Sequence, residues 1–247
     1  MRLLLLNPNT SVSMTERMTA TAEAAKAPGT TIVSMTASRG VPYIATRAEA
    51  QIGGAIALEM LAERHGAVDA AIIAAFGDPG LFGARELFDI PVVGLAEAAM
   101  LTACMVARRF AIVTFARALG PWYEECVAMH GLRERCAGIL CLDSPFASAA
   151  DVAEQKEDLL VDLAHRAVYE RDADAVILAG APLTGLAHKV ADRIPVPVID
   201  QVAAAVKQAE ALAALRLRKA TAGTFRRPDP KSTTGLPQAL ADRIQRS

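Results

Sequence analysis

The chain is poor in aromatic side chains, with one Trp, three Tyr and seven Phe among 247 residues. Its interior must therefore be filled by Ala, Val, Leu and Ile, the usual filling of parallel sheets buried on both faces. It also lacks an excess of either charge. Lys and Arg number 26, Asp and Glu 27, and the formal net charge is -1. That balance gives no electrostatic footprint for nucleic acid or an anionic membrane. No apolar run approaches the roughly 20 residues needed to cross a bilayer. The run from Leu3 to Leu6 stops at Asn7-Pro8-Asn9. It is too short for the core of a signal peptide, so a cytoplasmic protein is expected. Cysteine is scarce, at Cys104, Cys126, Cys136 and Cys141. None forms a Cys-x-x-Cys pair, and no His is read at metal-ligand spacing from them. Buried free thiols are expected, with no metal site. His65, His130, His165 and His188 are scattered and expected to be solvated or satisfied within helices.

What is present is a repeated strand–turn–helix unit. Ala71 to Phe76 is an apolar run of strand length, ended by the turn Gly77-Asp78-Pro79-Gly80. In a parallel sheet such a turn faces the ligand crevice at the carboxyl ends of the strands. Its backbone N–H groups then lie at the foot of a helix, where an anion or carbonyl oxygen is held. Val176-Ile177-Leu178 repeats the design, running into Ala179-Gly180-Ala181-Pro182-Leu183-Thr184-Gly185. Strands are expected at 3–6, 31–35, 70–75 and 91–94, then at 110–113, 138–142, 175–178 and 196–199. Helices are expected at 12–26, 47–65, 96–107, 116–130, 150–170 and 201–216, with 226–235 as loop. The halves match at near-constant offsets: Asn7 with Thr114, Ala75 with Gly180, and Pro91-Val92-Val93-Gly94 with Pro197-Val198-Ile199-Asp200. The fold expected is α/β, with two pseudo-symmetric Rossmann-like lobes, each a four-stranded parallel sheet, and a cleft between them. One lobe comprises residues 1–97 plus 205–247, the helix after Asp200 crossing back to it. The other comprises 98–204.

Several stretches together resemble the aspartate/glutamate/hydantoin racemase superfamily, in particular its hydantoin and allantoin racemase branch. They are Asn7-Pro8-Asn9-Thr10, Phe76-Gly77-Asp78-Pro79-Gly80-Leu81, Pro91 to Ala98, and Pro197 to Asp200 followed by Val202 to Val206. The resemblance implies a cofactor-independent racemase or isomerase scaffold that holds a small cyclic amide or amino-acid-like ligand between its lobes. It implies a homo-oligomer; the Ala- and Leu-rich helix 96–107 is either its interface or a buried intrachain face. It also implies two catalytic cysteines, one per lobe, exchanging a proton on opposite faces of a carbon. Here those positions are Ala75 and Gly180, or Ala181 if the register slips by one. A methyl group or a hydrogen atom cannot exchange a proton, so two-thiol racemisation is not expected.

The remaining site candidates follow from placement. Asp78 is the carboxylate nearest a strand end, and it serves either catalysis or the capping of the helix that follows. Asn7, Asn9 and Thr10 either bind a ligand or only hold the first turn and cap its helix. Backbone N–H groups of Phe76, Gly77 and Ala181 are candidate donors, with Thr114 and Pro182 beside them. Tyr43 lies in a loop from Ser38 to Thr46, long for an α/β unit, and either enters the site or staples the loop to the core. Loss of both thiols is expected to widen the pocket. Three functions stay open: a racemase-like enzyme with a replaced catalytic group, a decarboxylase or cis–trans isomerase, and a binding protein that has kept the cleft.

Overall fold

The computed structural model describes residues 1–143 and 152–245. The first half runs β1 (Arg2–Asn7), α1 (Val12–Ala25), β2 (Thr31–Thr36), α2 (Arg47–Arg64), β3 (Ala70–Ile73), α3 (Leu81–Leu87), β4 (Val92–Gly94) and α4 (Leu95–Val106). The second half runs β5 (Phe110–Thr114), α5 (Gly120–Met129), β6 (Cys136–Cys141), α6 (Val152–Gln155), α7 (Glu157–Arg171), β7 (Ala175–Ala179), α8 (Leu186–Val190), β8 (Val198–Asp200) and α9 (Gln201–Leu215). A short α10 (Gln238–Gln245) follows a long irregular tail.

The strands form two four-stranded sheets, ordered β2-β1-β3-β4 and β6-β5-β7-β8. Every pairing within them is parallel. The registers give the repeat directly. Leu3 pairs with Ala70 and Phe110 with Ala175. Ala71 pairs with Val92 and Val176 with Val198. The offsets between halves are therefore 107, 105 and 106, in the order read from the sequence.

Alternation along β1 divides the core. Leu3 and Leu5 enter one large cluster with Val113 and Val202, while Leu4 and Leu6 join Ile56, Leu61, Leu81 and Phe88 on the other face of the sheet. All four leucines are fully buried, each worth about 1.5–3 kcal/mol. The two halves exchange helices. After β4, α4 packs on β7 and β8 of the other sheet; after β8, α9 packs on β1, β3 and β4. The two helices also pack on one another. Gln208 ties them, its Nε2 donating to Ala98 O at 2.8 Å and to Thr102 Oγ1 at 3.0 Å.

Some elements differ from expectation for local reasons. β3 ends at Ile73: Ala74 N–H still donates to Leu6 O at 2.7 Å, but Ala75 N–H turns back to Ile73 O at 3.0 Å. The segment 116–130 divides into a 3-10 turn, Arg117–Leu119, and α5, with Pro121 in the first turn of α5, where its missing N–H costs nothing. The helix expected over 150–170 is two helices broken at Lys156, and residues 150 and 151 lie outside the described residues. α10 buries Leu240 and Ala241 and packs on α2, an element the loop chemistry before it conceals. Among the described residues no helix is long and apolar enough to cross a membrane.

Candidate functional site

By register Ala75 stands two residues past Ile73 and Gly180 two past Leu178, residues paired with Gly94 and Asp200 respectively. One side chain touches both turns. Tyr123 of α5 lies with its ring 4.7 Å from that of Phe76. Its hydroxyl is 3.5 Å from where a Cβ on Gly180 would stand. Phe115 Cε1 is only 2.8 Å from the same point. Gly180 also has a φ of 108°, a conformation that L side chains avoid. The pocket is therefore not widened at Gly180, a correction to the expectation. Phe115 and Tyr123 already occupy that space. The Gly180 peptide is locked as well: its N–H donates to Gln201 Oε1 at 3.1 Å, and Gln201 Nε2 donates to its carbonyl at 2.5 Å.

The other polar candidates divide between holding turns and standing without a partner among the described residues. Asn7 is fully buried, and its Nδ2 donates to Asn9 Oδ1, Ser11 O and Thr15 Oγ1. Asn9 Oδ1 also accepts from Ser11 N–H, but Asn9 Nδ2 has no partner among the described residues. Ser11, not Thr10, caps α1, accepting from Met14 N–H. Thr10 N–H donates to Val41 O at 2.9 Å and fastens the 38–46 loop to the first turn. Thr114 Oγ1 donates to Ala179 O at 3.0 Å. The N–H groups of Phe76, Gly77 and Ala181 have no backbone partner among the described residues. Ala181 and Pro182 open a buried 3-10 turn.

Asp78 caps a helix, but not the one that follows it. α3 starts from Gly80 in a left-handed conformation with no side-chain cap. Asp78 instead reaches α4, its Oδ1 and Oδ2 accepting from Ala96 and Glu97 N–H, each at 2.8 Å. Gly94 makes the approach possible, since a Cβ there would lie 2.2 Å from Asp78 Cγ. The second half builds the reverse latch. Asp200 Oδ1 accepts from Val202 and Ala203 N–H to cap α9, while its Oδ2 accepts from Gly185 N–H in the turn after β7.

Asp78 Oδ2 also lies 3.1 Å from His130 Nε2, whose side chain is only 3% exposed. His130 Nδ1 is 3.4 Å from Glu97 Oε1, and Arg85 pairs with Glu97 through both terminal guanidinium nitrogens. Burial pulls the imidazole down, but hydrogen bonds and charge from Asp78 and Glu97 outweigh it and raise its pKa to about 9. Burial likewise pushes Glu97 up, and His130 and Arg85 outweigh it, to about 2. Cys126 and His130 stand four apart, a helical ligand spacing, which corrects the sequence reading of these residues. With Asp78 they place three potential ligand atoms within 4.8 Å of one another. Both Asp78 oxygens are already engaged, and burial beside Asp78 and Glu97 holds the Cys126 thiol protonated. The cluster works as a hydrogen-bonded latch between the Gly77-Asp78-Pro79-Gly80 turn, α4 and α5.

A duplicated parallel sheet with a matched pair of strand-tip turns invites comparison with known proteins. The Asp/Glu/hydantoin racemase family model matches residues 3–209. The chain belongs to this family. It is 35% identical to the hydantoin racemase of Paenarthrobacter aurescens over 233 residues, 94% of this chain and 99% of that one. Its structure is similar to the allantoin racemase from Klebsiella pneumoniae, with a TM-score of 0.90 and 38% identity, covering 97% and 98% of the two chains. The allantoin racemase from Pseudomonas fluorescens matches with a TM-score of 0.86 and 31% identity, covering 95% and 100%.

Within this racemase-family chain, four residues near the turns escaped the sequence reading: Phe115, Tyr123, His130 and Gln201. Phe115 follows the landmark Thr114, and Gln201 follows Asp200, so both were within one residue of a motif. His130 carried the spacing to Cys126 as its signal. Tyr123 offered none, because only the fold of α5 brings it between the turns.

Proposed function

We propose that the chain holds a small cyclic amide or 2-substituted carboxylic acid between its lobes, residues 1–97 with 205–247 and residues 98–204, and does not racemise it by a two-thiol mechanism. The observation that carries this reading is the pair Ala75 and Gly180. They occupy equivalent strand tips, neither bears a titratable group, and Phe115 fills the space in front of the second. The N–H groups of Phe76, Gly77 and Ala181 and the Asn9 amide, without partners among the described residues, support oxygen recognition from both walls. A donor set of this kind stabilises carbonyl or carboxylate oxygens without needing an acid or base. The reading includes a cytoplasmic location, no cofactor, and a homo-oligomer in which exposed Leu101, Met105 and Val106 of α4 meet a second copy; its mass in solution checks the last point.

The test is incubation in deuterated water with 5-substituted hydantoins, allantoin, aspartate and glutamate, followed by proton NMR and thermal shift. The expected result is ligand stabilisation without exchange at the α carbon. Exchange above the uncatalysed background refutes it. A second reading, a decarboxylase or isomerase with a different acid, is favoured by the Tyr123 hydroxyl beside position 180. A phenol there can protonate a carbanion on one face only. Release of carbon dioxide from a 2-aryl malonate would decide for it.

A further inference from the structure

Tyr43 stands on the segment between β2 and α2, and its backbone is pinned on both sides. Val41 O accepts from Thr10 N–H at 2.9 Å. Ala45 and Thr46 N–H donate to Glu49 Oε2 at 2.7 and 2.9 Å, completing the capping box that starts α2. Between these pins the side chain leans across to the second half. Its ring centroid is 5.8 Å from that of Phe115, the residue whose edge fills the space before Gly180. The phenol oxygen is shut off from solvent yet bonds to nothing among the described residues. A buried hydroxyl without a partner is expensive, and buried tyrosines ordinarily find one. Nothing in the loop explains retaining the oxygen here, since phenylalanine would pack against Phe115 equally well.

The surroundings say what partner is missing. The groups near the two turns without a backbone partner among the described residues are donors: the N–H groups of Phe76, Gly77 and Ala181. Burial, then the charge of Glu49, pushes the Tyr43 hydroxyl up. Burial, then the neighbouring Tyr43, does the same to Tyr123, with the Thr114 hydroxyl pulling the other way. Both phenols are therefore protonated at neutral pH and donate. Beside these donors stand aromatic rings, those of Phe76, Phe115 and Tyr123.

We propose that Tyr43 is a ligand-contacting, specificity-determining residue: its hydroxyl donates to a carbonyl or carboxylate oxygen of a small molecule whose apolar substituent lies on the rings of Phe76, Phe115 and Tyr123. This rests on the cleft reading above and narrows its ligand to an oxygen acceptor with an apolar, preferably aromatic, substituent. In the free protein the hydroxyl has no partner among the described residues; in the complex it is satisfied.

The test is Tyr43→Phe, read in two ways that move in opposite directions. Isothermal titration with 5-benzylhydantoin, unsubstituted hydantoin and allantoin measures affinity, and thermal unfolding without ligand measures stability. For the wild type the benzyl compound is expected to bind more tightly than unsubstituted hydantoin. In Tyr43→Phe the affinity for 5-benzylhydantoin is expected to fall roughly tenfold. Removing an unpaired oxygen is expected to leave the melting temperature of the free protein unchanged or raised by roughly 2–4 °C. Equal affinities of the variant and the wild type overturn the assignment. So does a lower melting temperature for the free variant, which would mean the hydroxyl is bonded within the protein. Wild-type protein that binds none of the three probes overturns the cleft reading itself, and this assignment with it.

Discussion

Replacing His130 by Gln tests the latch behind the first strand-tip turn. The imidazole lies 3.1 Å from Asp78 and 3.4 Å from Glu97, and it joins the end of α5 to a turn 52 residues earlier. Its pKa rises from 6.5 to about 9 in the folded protein. That difference sets a ceiling of about 3 kcal/mol on what protonation contributes. Arg85 shares Glu97 with it, and residual screening lowers the figure further, so roughly 2 kcal/mol is expected. The folded value lies above the unfolded one. The contribution is therefore complete below about pH 6.5 and lost as the pH rises through about 9. Glu97, pulled down from 4.5 to about 2, behaves oppositely: its contribution holds above pH 4.5 and disappears as the pH falls toward 2. Glutamine keeps a side-chain donor for Asp78 but carries no charge. Urea denaturation of both proteins at pH 6, 7.5, 9 and 10 gives the difference directly, because other titrating groups cancel. A gap that narrows toward pH 10 is expected. A gap that is constant across the range, or that widens in alkali, refutes the charged latch.

Three further substitutions probe the latch and the second turn. Gly94→Ala places a methyl group within 2.2 Å of Asp78 Cγ, displacing the cap of α4, and should cost about 3 kcal/mol in urea denaturation; a loss below about 1 kcal/mol would mean that the latch carries little. Gly180→Cys meets both a φ of 108° and Phe115 at 2.8 Å, so a loss of about 2–4 kcal/mol is expected, whereas Ala181→Cys, which only extends an existing Cβ, should cost less than about 1 kcal/mol; a Gly180→Cys protein as stable as the wild type would show that Phe115 does not fill that space.

Much of the scaffold is legible in local patterns. The leucines of β1 and the offsets between halves follow from strand length and turn chemistry, and the sheet registers reproduce them. Features that depend on distant partners are not legible. Asp78 looks like a cap for α3 because the two are adjacent in the chain, yet Gly80 starts α3 and the missing side chain at Gly94 opens the way to α4. Loss of the thiols suggests empty volume, yet Phe115, just past β5, and Tyr123 of α5 take it at Gly180. Pro121 marks where α5 can start only once the preceding 3-10 turn is seen. Residues 226–235 look like loop, and that polar run masks the short amphipathic stretch after it that packs on α2.

The exchange of α4 and α9 has a consequence for the chain as a single unit. Each sheet is roofed in part by a helix that the opposite half supplies, α4 over β7 and β8 and α9 over β1, β3 and β4, beside helices of its own half. A chain severed between Ala107 and Arg108 would yield two fragments, each with a bare greasy face and a stray helix seeking one. Separately they should clump; mixed, they should recover a soluble pair.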